Sequence, residues 1–441
     1  MKLPICPQPA NSKKSSSWRF FAPVALGAIL VAATMTFAWP QAQAPDAAQP
    51  TAQGQAQGQV PGAGPGGAPG RGRGRGITED PDHPVMKIGT PAPDFNLPGI
   101  DGKNHTLSDF TKTKLLAVVF ESNHCPVSQL YEGRIKQLYQ DYKDKGLTLI
   151  AINPNNASAI RLNELGYTDV TDSLPEMKIR AAYRNIEWPY LYDGETQAVA
   201  IKYGAVATPH IFIFDQDHKL AYQGQIDDNQ TPGLAKTTPA RDAIEALLAG
   251  KPVPVATTRA FGCTTKWLSK AGDVQAEWKK IQAEPVKLDM ADADALKTLR
   301  ANSTGKIMVV NFWSTKCKDC PAAFHDLETT FRMFRGRSYL FTTVSTDNPK
   351  NNAAVLTYLQ SENASSPNLQ FATTDVKSLQ SAFGEKWKLN APFTVVIGPD
   401  GKIIYQKEGK LDILDMRRAV LKNMPDGRSY IGQLAYWNSK P

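Results

Sequence analysis

Leu115–Phe120 is a short apolar, partly β-branched run with Cys125 five positions beyond it, and Ile307–Phe312 is a second such run with Cys317 five positions beyond. Runs of this length and composition predict buried strands. Past each cysteine the apolar positions change period. Leu130, Tyr131, Ile135, Leu138 and Tyr142 recur with helical spacing in the first copy, as do Phe324, Leu327, Phe331 and Phe334 in the second. Each cysteine therefore falls where a strand gives way to a helix, and helix N-terminal N–H groups and dipole favour a thiolate there.

The second half of the pattern repeats too. Thr208-Pro209 precedes Ile211–Phe214, a turn at 215–219 and a strand at 220–225, while Ala391-Pro392 precedes Phe393–Ile397, a turn at 398–402 and a strand at 403–406. Cysteine and proline are 84 residues apart in one copy and 75 in the other. Helices are predicted at 241–248 and 411–421. The layout is α/β, with two tandem domains that each hold a central mixed β-sheet flanked by helices. The chain has 441 residues, 41% of them hydrophobic, enough for two cores.

Ahead of the repeats the composition changes. Lys2, Lys13, Lys14 and Arg19 precede an uncharged run, Phe20–Ala38, and then Ala42-Gln43-Ala44. A basic start, an apolar centre and a small-x-small end read as a secretion signal, so residues 1–44 imply a periplasmic or otherwise extracytoplasmic location. The apolar run of ~19 residues is also long enough to span a bilayer, which leaves an uncleaved membrane anchor through residues 20–38 open. Cys6 lies before the run, and no cysteine follows it closely enough for a lipid anchor. Residues 45–85 read as a linker rich in Gly, Pro and Gln, ending its repetitive part at Arg71-Gly72-Arg73-Gly74-Arg75-Gly76. Such a segment buries too little apolar surface to offset its ordering entropy.

Charge excludes one function class. The net charge is +8, but four bases and no acid lie in residues 1–44, and three arginines against Asp46 lie in 45–76. The remainder is nearly neutral, so no nucleic-acid surface is implied. The predicted domains are 86–268 and 286–432, joined by a linker at 269–285.

Cys317-Lys318-Asp319-Cys320 carries the sharpest chemistry. Two cysteines at this spacing on a helix start can close a small disulfide and exchange it with a partner. Cys317 is the expected nucleophile, exposed and low in pKa, and Cys320 the resolver. A structural zinc site would need four ligands, and only His325 lies nearby, so no metal and no other cofactor are expected. Lys316 and Lys318 favour the thiolate and Asp319 opposes it, so the redox potential is not legible.

Val310-Asn311-Phe312-Trp313, Cys317-x-x-Cys320-Pro321 and Ala391-Pro392 resemble exported thioredoxin-like proteins. The resemblance implies a thioredoxin fold in which Pro392 is cis beside the cysteine pair, with Trp313 and Pro392 at the substrate face. Asn311 stands where cytoplasmic thioredoxins carry a buried acid. The first copy resembles the redoxins of the alkyl hydroperoxide reductase and thiol-specific antioxidant group, through Ala92-Pro93-Asp94-Phe95, Leu107-Ser108-Asp109-Phe110 and Cys125-Pro126. A peroxiredoxin-like branch is closer still, through Asn123-His124-Cys125-Pro126, Gly224-Gln225-Ile226-Asp227-Asp228 and Gly262-Cys263-Thr264-Thr265-Lys266-Trp267. This implies that Cys125 matches the peroxide-attacking cysteine and Ser122 the hydroxyl residue before it, with Pro209 at the substrate face.

Two departures weaken a peroxidase. Val118 stands where those enzymes carry proline, and the Thr208–Phe214 segment has no counterpart to their arginine. Losing a donor that polarises the breaking O–O bond costs transition-state stabilisation. Cys125 is thus open between peroxide attack, thiol exchange and inert burial. Cys263 is open between a resolving partner for Cys125, a structural bridge and a free thiol, since sequence does not show whether the Cα atoms come within ~6–7 Å. His124 reads as an exposed loop residue, with thiolate stabilisation or metal binding as its sharper alternative.

The functional expectation is an exported thiol–disulfide oxidoreductase with antioxidant, peroxide-reducing activity as its extension. Its partners would be disulfide-bearing or dithiol proteins. The alternatives are an extracytoplasmic copper chaperone, since soft thiolates suit Cu(I), or a redox-inactive binding role for the first domain. Tethering places Cys317 at ~mM concentration relative to Cys125 and Cys263, so an internal electron relay and simple co-localisation are both open.

Overall fold

The two apolar runs become the centres of two separate sheets. A computed structural model describes residues 80–388 and 391–439, so the expectations for residues 1–44, for most of 45–85 and for the anchor at 20–38 lie outside the described residues. Strands β1 (Leu115–Phe120), β2 (Leu147–Asn153), β3 (Tyr190–Tyr192), β4 (His210–Phe214) and β5 (Leu220–Gly224) form the first sheet, in the order β3-β2-β1-β4-β5. The second comprises β6 (Asp289–Ala291), β7 (Ile307–Trp313), β8 (Tyr339–Ser345), β9 (Asn368–Phe371), β10 (Phe393–Ile397) and β11 (Ile403–Glu408), in the order β6-β9-β8-β7-β10-β11.

In both sheets the central strand has a parallel neighbour on one side and an antiparallel hairpin on the other. Every residue of β1 and β7 is buried. Continuous apolar character, rather than alternation, is what a strand covered on both faces requires. The registers coincide at the working ends: Phe120 pairs with His210 and Phe312 with Phe393, each the residue just after a proline of the repeat.

Helices cover the faces. The first lobe carries α1 (Pro126–Tyr142), α2 (Leu174–Arg184) and α3 (Pro239–Leu248). The second carries α4 (Ala271–Gln282), α5 (Cys320–Phe334), α6 (Ile413–Leu421) and α7 (Gln433–Asn438). The segment 269–285, expected as a linker, is therefore largely the helix α4, with Ile281 buried against the second lobe's core. Beyond 432, α7 packs back on α1 of the first lobe, where Gln433 donates to the Pro126 carbonyl at 2.8 Å.

The described residues belong to one compact unit. One apolar cluster is shared across it: Ile160, Leu162 and Leu165 of the first lobe pack with Met333, Phe334, Val420 and Trp437 of the second. Polar contacts cross the same seam, with Arg337 donating to the Gly166 carbonyl at 3.0 Å and Arg417 to the Asp169 carbonyl at 3.1 Å. Among the described residues no helix is long and apolar enough to cross a membrane.

Candidate active sites at two cysteine pairs

Cys125 is the N-cap of α1, with Pro126 in the first turn, where its fixed φ suits a helix start. The N–H of Ser128 points at its sulfur from 3.4 Å. Cys125 is fully buried and is joined by a disulfide to Cys263, with Cα atoms 5.9 Å apart. The pairing left open by sequence is thus closed across 138 residues. Cys263 is only partly buried. It lies on the two-residue strand Cys263–Thr264, paired antiparallel with Ala207–Thr208, immediately before Pro209. Gly262 permits this approach, since a Cβ there would overlap the Thr208 carbonyl.

The residues expected around Cys125 lie close by but not at the surface. Ser122 is buried, with its hydroxyl 3.2 Å from that of Thr208. Thr208-Pro209 is a cis peptide bond, and Pro209 is buried. His124 is not an exposed loop residue. It is 2% exposed, and its Nδ1 lies 2.7 Å from the Asp172 carboxylate. Burial pushes the Asp172 carboxyl up, but the positive charge and hydrogen bonds of His124, with a further bond from Asn155, hold it below the usual carboxylate range.

Behind this helix start lies a small polar cavity with room for about one water, 10 Å³, bordered by Glu121, Ser128, Gln129 and Arg180 among others. Trp188 donates its indole N–H to Glu121 at 3.1 Å. Desolvation nonetheless raises the Glu121 carboxyl to about 8, so this acid is protonated at neutral pH.

Cys317 and Cys320 form the second disulfide, with Cα atoms 5.4 Å apart at the head of α5. Cys320 is the first residue of the helix, and Cys317 sits in the preceding turn, its N–H bonded to the Ser314 carbonyl at 3.1 Å. The expectation of an exposed Cys317 is corrected: it is 4% exposed, within an apolar cluster of Trp313, Phe324, Val355 and Leu359. Lys316, Lys318 and Asp319 around it are exposed. Trp313 is likewise buried rather than on a substrate face, because its ring packs 5.0 Å from Phe324 and 4.9 Å from Tyr358.

Pro392 is buried beside β10, but the Ala391–Pro392 bond is not cis, contrary to what the resemblance implies. Trans is the lower-energy isomer of an X–Pro bond by about 0.5–1 kcal/mol where surroundings do not select against it. Asn311 accepts the Thr394 hydroxyl at 3.1 Å and leaves its own amide N–H group unpartnered. His325 is exposed on α5, and among the described residues no three His, Cys, Asp or Glu side chains are grouped to hold a metal ion.

Sequence reasoning missed the carboxylates that brace both cysteine loops. Asp172 accepts from the backbone ahead of Cys125, and Asp347 does the same ahead of Cys317, accepting the Thr315 N–H at 2.8 Å and the Ser314 hydroxyl at 3.0 Å.

Residues 88–223 and 280–406 both match the AhpC/TSA family. The chain belongs to the AhpC/TSA family. Its two matched regions each hold one of the helix-start cysteines. Among similar proteins, the thiol-disulfide oxidoreductase ResA of Bacillus anthracis is 27% identical over 161 residues, which span 36% of this chain and 83% of that protein. An uncharacterized conserved protein from Geobacillus kaustophilus has a crystal structure that is 36% identical, covering 42% of this chain and 93% of its own, with a TM-score of 0.37. Peroxidoxin BcpB from Mycobacterium tuberculosis is 17% identical over 37% of this AhpC/TSA-family chain and 95% of its own, with a TM-score of 0.27.

Proposed function

We propose that this AhpC/TSA-family protein is an extracytoplasmic thiol–disulfide oxidoreductase that acts on disulfide-bearing or dithiol proteins, with Cys317 as nucleophile and Cys320 as resolver. The observation that carries the reading is the disulfide at the head of α5, which places both sulfurs at a helix N-terminus. A thiolate at Cys317 attacks a partner disulfide, one partner sulfur leaves as thiolate, and Cys320 then displaces the second sulfur and restores the Cys317–Cys320 bond. The partner gains two electrons and two protons. In reverse, the same pair oxidises a dithiol. The basic, apolar and small-residue pattern of residues 1–44 supports export. Replacing Cys320 by Ser should trap mixed disulfides on Cys317, read by non-reducing electrophoresis. Replacing Cys317 should trap none.

A second reading, peroxide reduction at Cys125, is favoured by its bonded partner Cys263 and by the Ser128 N–H at its sulfur. The Cys125 thiolate would take one oxygen of a hydroperoxide, releasing water or an alcohol once a proton is supplied. The Cys263 thiol would then condense with the sulfenic acid, releasing water and leaving the observed disulfide. Consumption of hydrogen peroxide that disappears in Cys125→Ser supports this reading, and consumption unchanged in that variant removes it.

A further inference from the structure

Asp172 is linked to both sides of the first cysteine pair, to one directly and to the other through Asn155. Its Oδ1 accepts the backbone N–H of Asn123 at 2.8 Å and of His124 at 3.0 Å. Its Oδ2 lies 2.7 Å from His124 Nδ1 and accepts the side-chain amide of Asn155 at 2.7 Å. Asn155 then turns its own carbonyl oxygen to the backbone N–H of Lys266, at 2.8 Å. Lys266 is three residues beyond Cys263, and His124 is the residue before Cys125. One wholly buried carboxylate therefore holds the Cys125 loop directly and the Cys263 segment through a single amide.

When the disulfide is reduced, no covalent bond holds the two sulfurs together. How readily it closes again depends on the effective concentration of one sulfur at the other, which rigid positioning raises. Hydrogen bonds to an ionised carboxylate are the stronger kind, and four donors converge on this one. An asparagine at 172 would turn an N–H group towards at least one of those donors and leave a buried donor without an acceptor.

We propose that Asp172 is the positioning residue of the Cys125–Cys263 pair, holding the two cysteine segments in register through His124 and Asn155 so that the disulfide can close. This rests on the reading that the pair changes redox state during function.

The test is equilibration of the full chain with glutathione, followed by thiol trapping and mass analysis of each pair. Two glutathione thiols lose two electrons and become glutathione disulfide, while Cys125 and Cys263 each gain an electron and a proton. Asp172→Asn is expected to lower the closing constant of this pair roughly tenfold. Asn155→Ala, which cuts only the link to the Cys263 segment, is expected to lower it roughly threefold. The Cys317–Cys320 constant, measured in the same sample, should not move. A merely structural role would act equally on both redox states and leave the equilibrium where it was. An unchanged constant in the folded variants overturns the proposal. Should Asp172→Asn fail to fold, the Asn155→Ala constant decides by the same criterion. If the wild-type pair stays oxidised at every glutathione ratio that reduces Cys317–Cys320, its redox role falls, and the proposal with it.

Discussion

Asp169 of the first lobe accepts the Arg418 guanidinium of α6 at 2.7 Å, while its other oxygen takes Arg180 of α2 at 2.6 Å. The carboxylate has no exposed surface. Burial pushes its carboxyl up, but the two guanidinium charges prevail and hold it below the usual carboxylate range.

Removing this carboxylate leaves Arg180 buried without its counter-charge, a change that costs about 3–5 kcal/mol in comparable buried pairs. Asp169→Ala should therefore lower the denaturation midpoint. It should also split unfolding into two transitions, since this contact crosses between the lobes. Urea unfolding followed by tryptophan fluorescence and by circular dichroism checks both points. A single transition at the wild-type midpoint would show that the seam does not depend on this carboxylate.

Much of the fold is legible in the sequence because β1 is wholly apolar and β7 is apolar but for Asn311, each short, partly β-branched and followed by a change to helical spacing. The helix α4 lies in the segment expected as a linker, although Val274, Trp278 and Ile281 recur at helical spacing within 269–285. Gly272 within that helix and Pro285 just beyond it work against a helical reading, and most of its other positions are polar or charged. Asp169 and Asp172 could not be found this way. They fall in a polar stretch, Gly166-Tyr-Thr-Asp-Val-Thr-Asp172, whose partners stand 11 to 49 positions away in the first lobe, as Arg180, Asn155, His124 and Asn123, or in the other lobe, as Arg418. The burial of Cys317 and Trp313 likewise comes from Tyr358 and Leu359 on a distant helix.

Glu121 makes a pH prediction. Its carboxyl is raised from 4.5 to about 8, so the folded state holds this proton more tightly than the unfolded chain. The resulting stability is fully present below pH 4.5 and is lost as pH rises towards 8. A shift of this size corresponds to about 5 kcal/mol across the window. Glu328, raised to about 7, and Asp193, raised to about 6, act in the same direction, so the comparison must be made against a variant. Glu121→Gln, which keeps an acceptor for Trp188, should lose less stability than wild type between pH 5 and pH 8 in chemical denaturation. Equal losses would place the Glu121 titration elsewhere.

No internal relay is expected in the arrangement of the two lobes. The cluster around Cys317 and Cys320 contains no first-lobe residue, and α5 meets the first lobe near Met333 rather than at Cys320. Ten residues of helix from Cys320 to Thr330 already span about 15 Å. After oxidation and one equivalent of a weak reductant, mass-resolved labelling should show Cys125 and Cys263 regaining thiols at the same rate in wild type and in Cys317→Ser/Cys320→Ser. A rate that is independent of protein concentration and vanishes in the double variant would establish a relay.

The most direct test of the account is reduction of insulin disulfides by the protein, driven by a small dithiol, in a Cys125→Ser/Cys263→Ser background that isolates the second pair. The account predicts that this background retains turnover and that adding Cys317→Ser abolishes it. Full turnover with Cys317 replaced would contradict the assignment of the nucleophile and, with it, the proposed function.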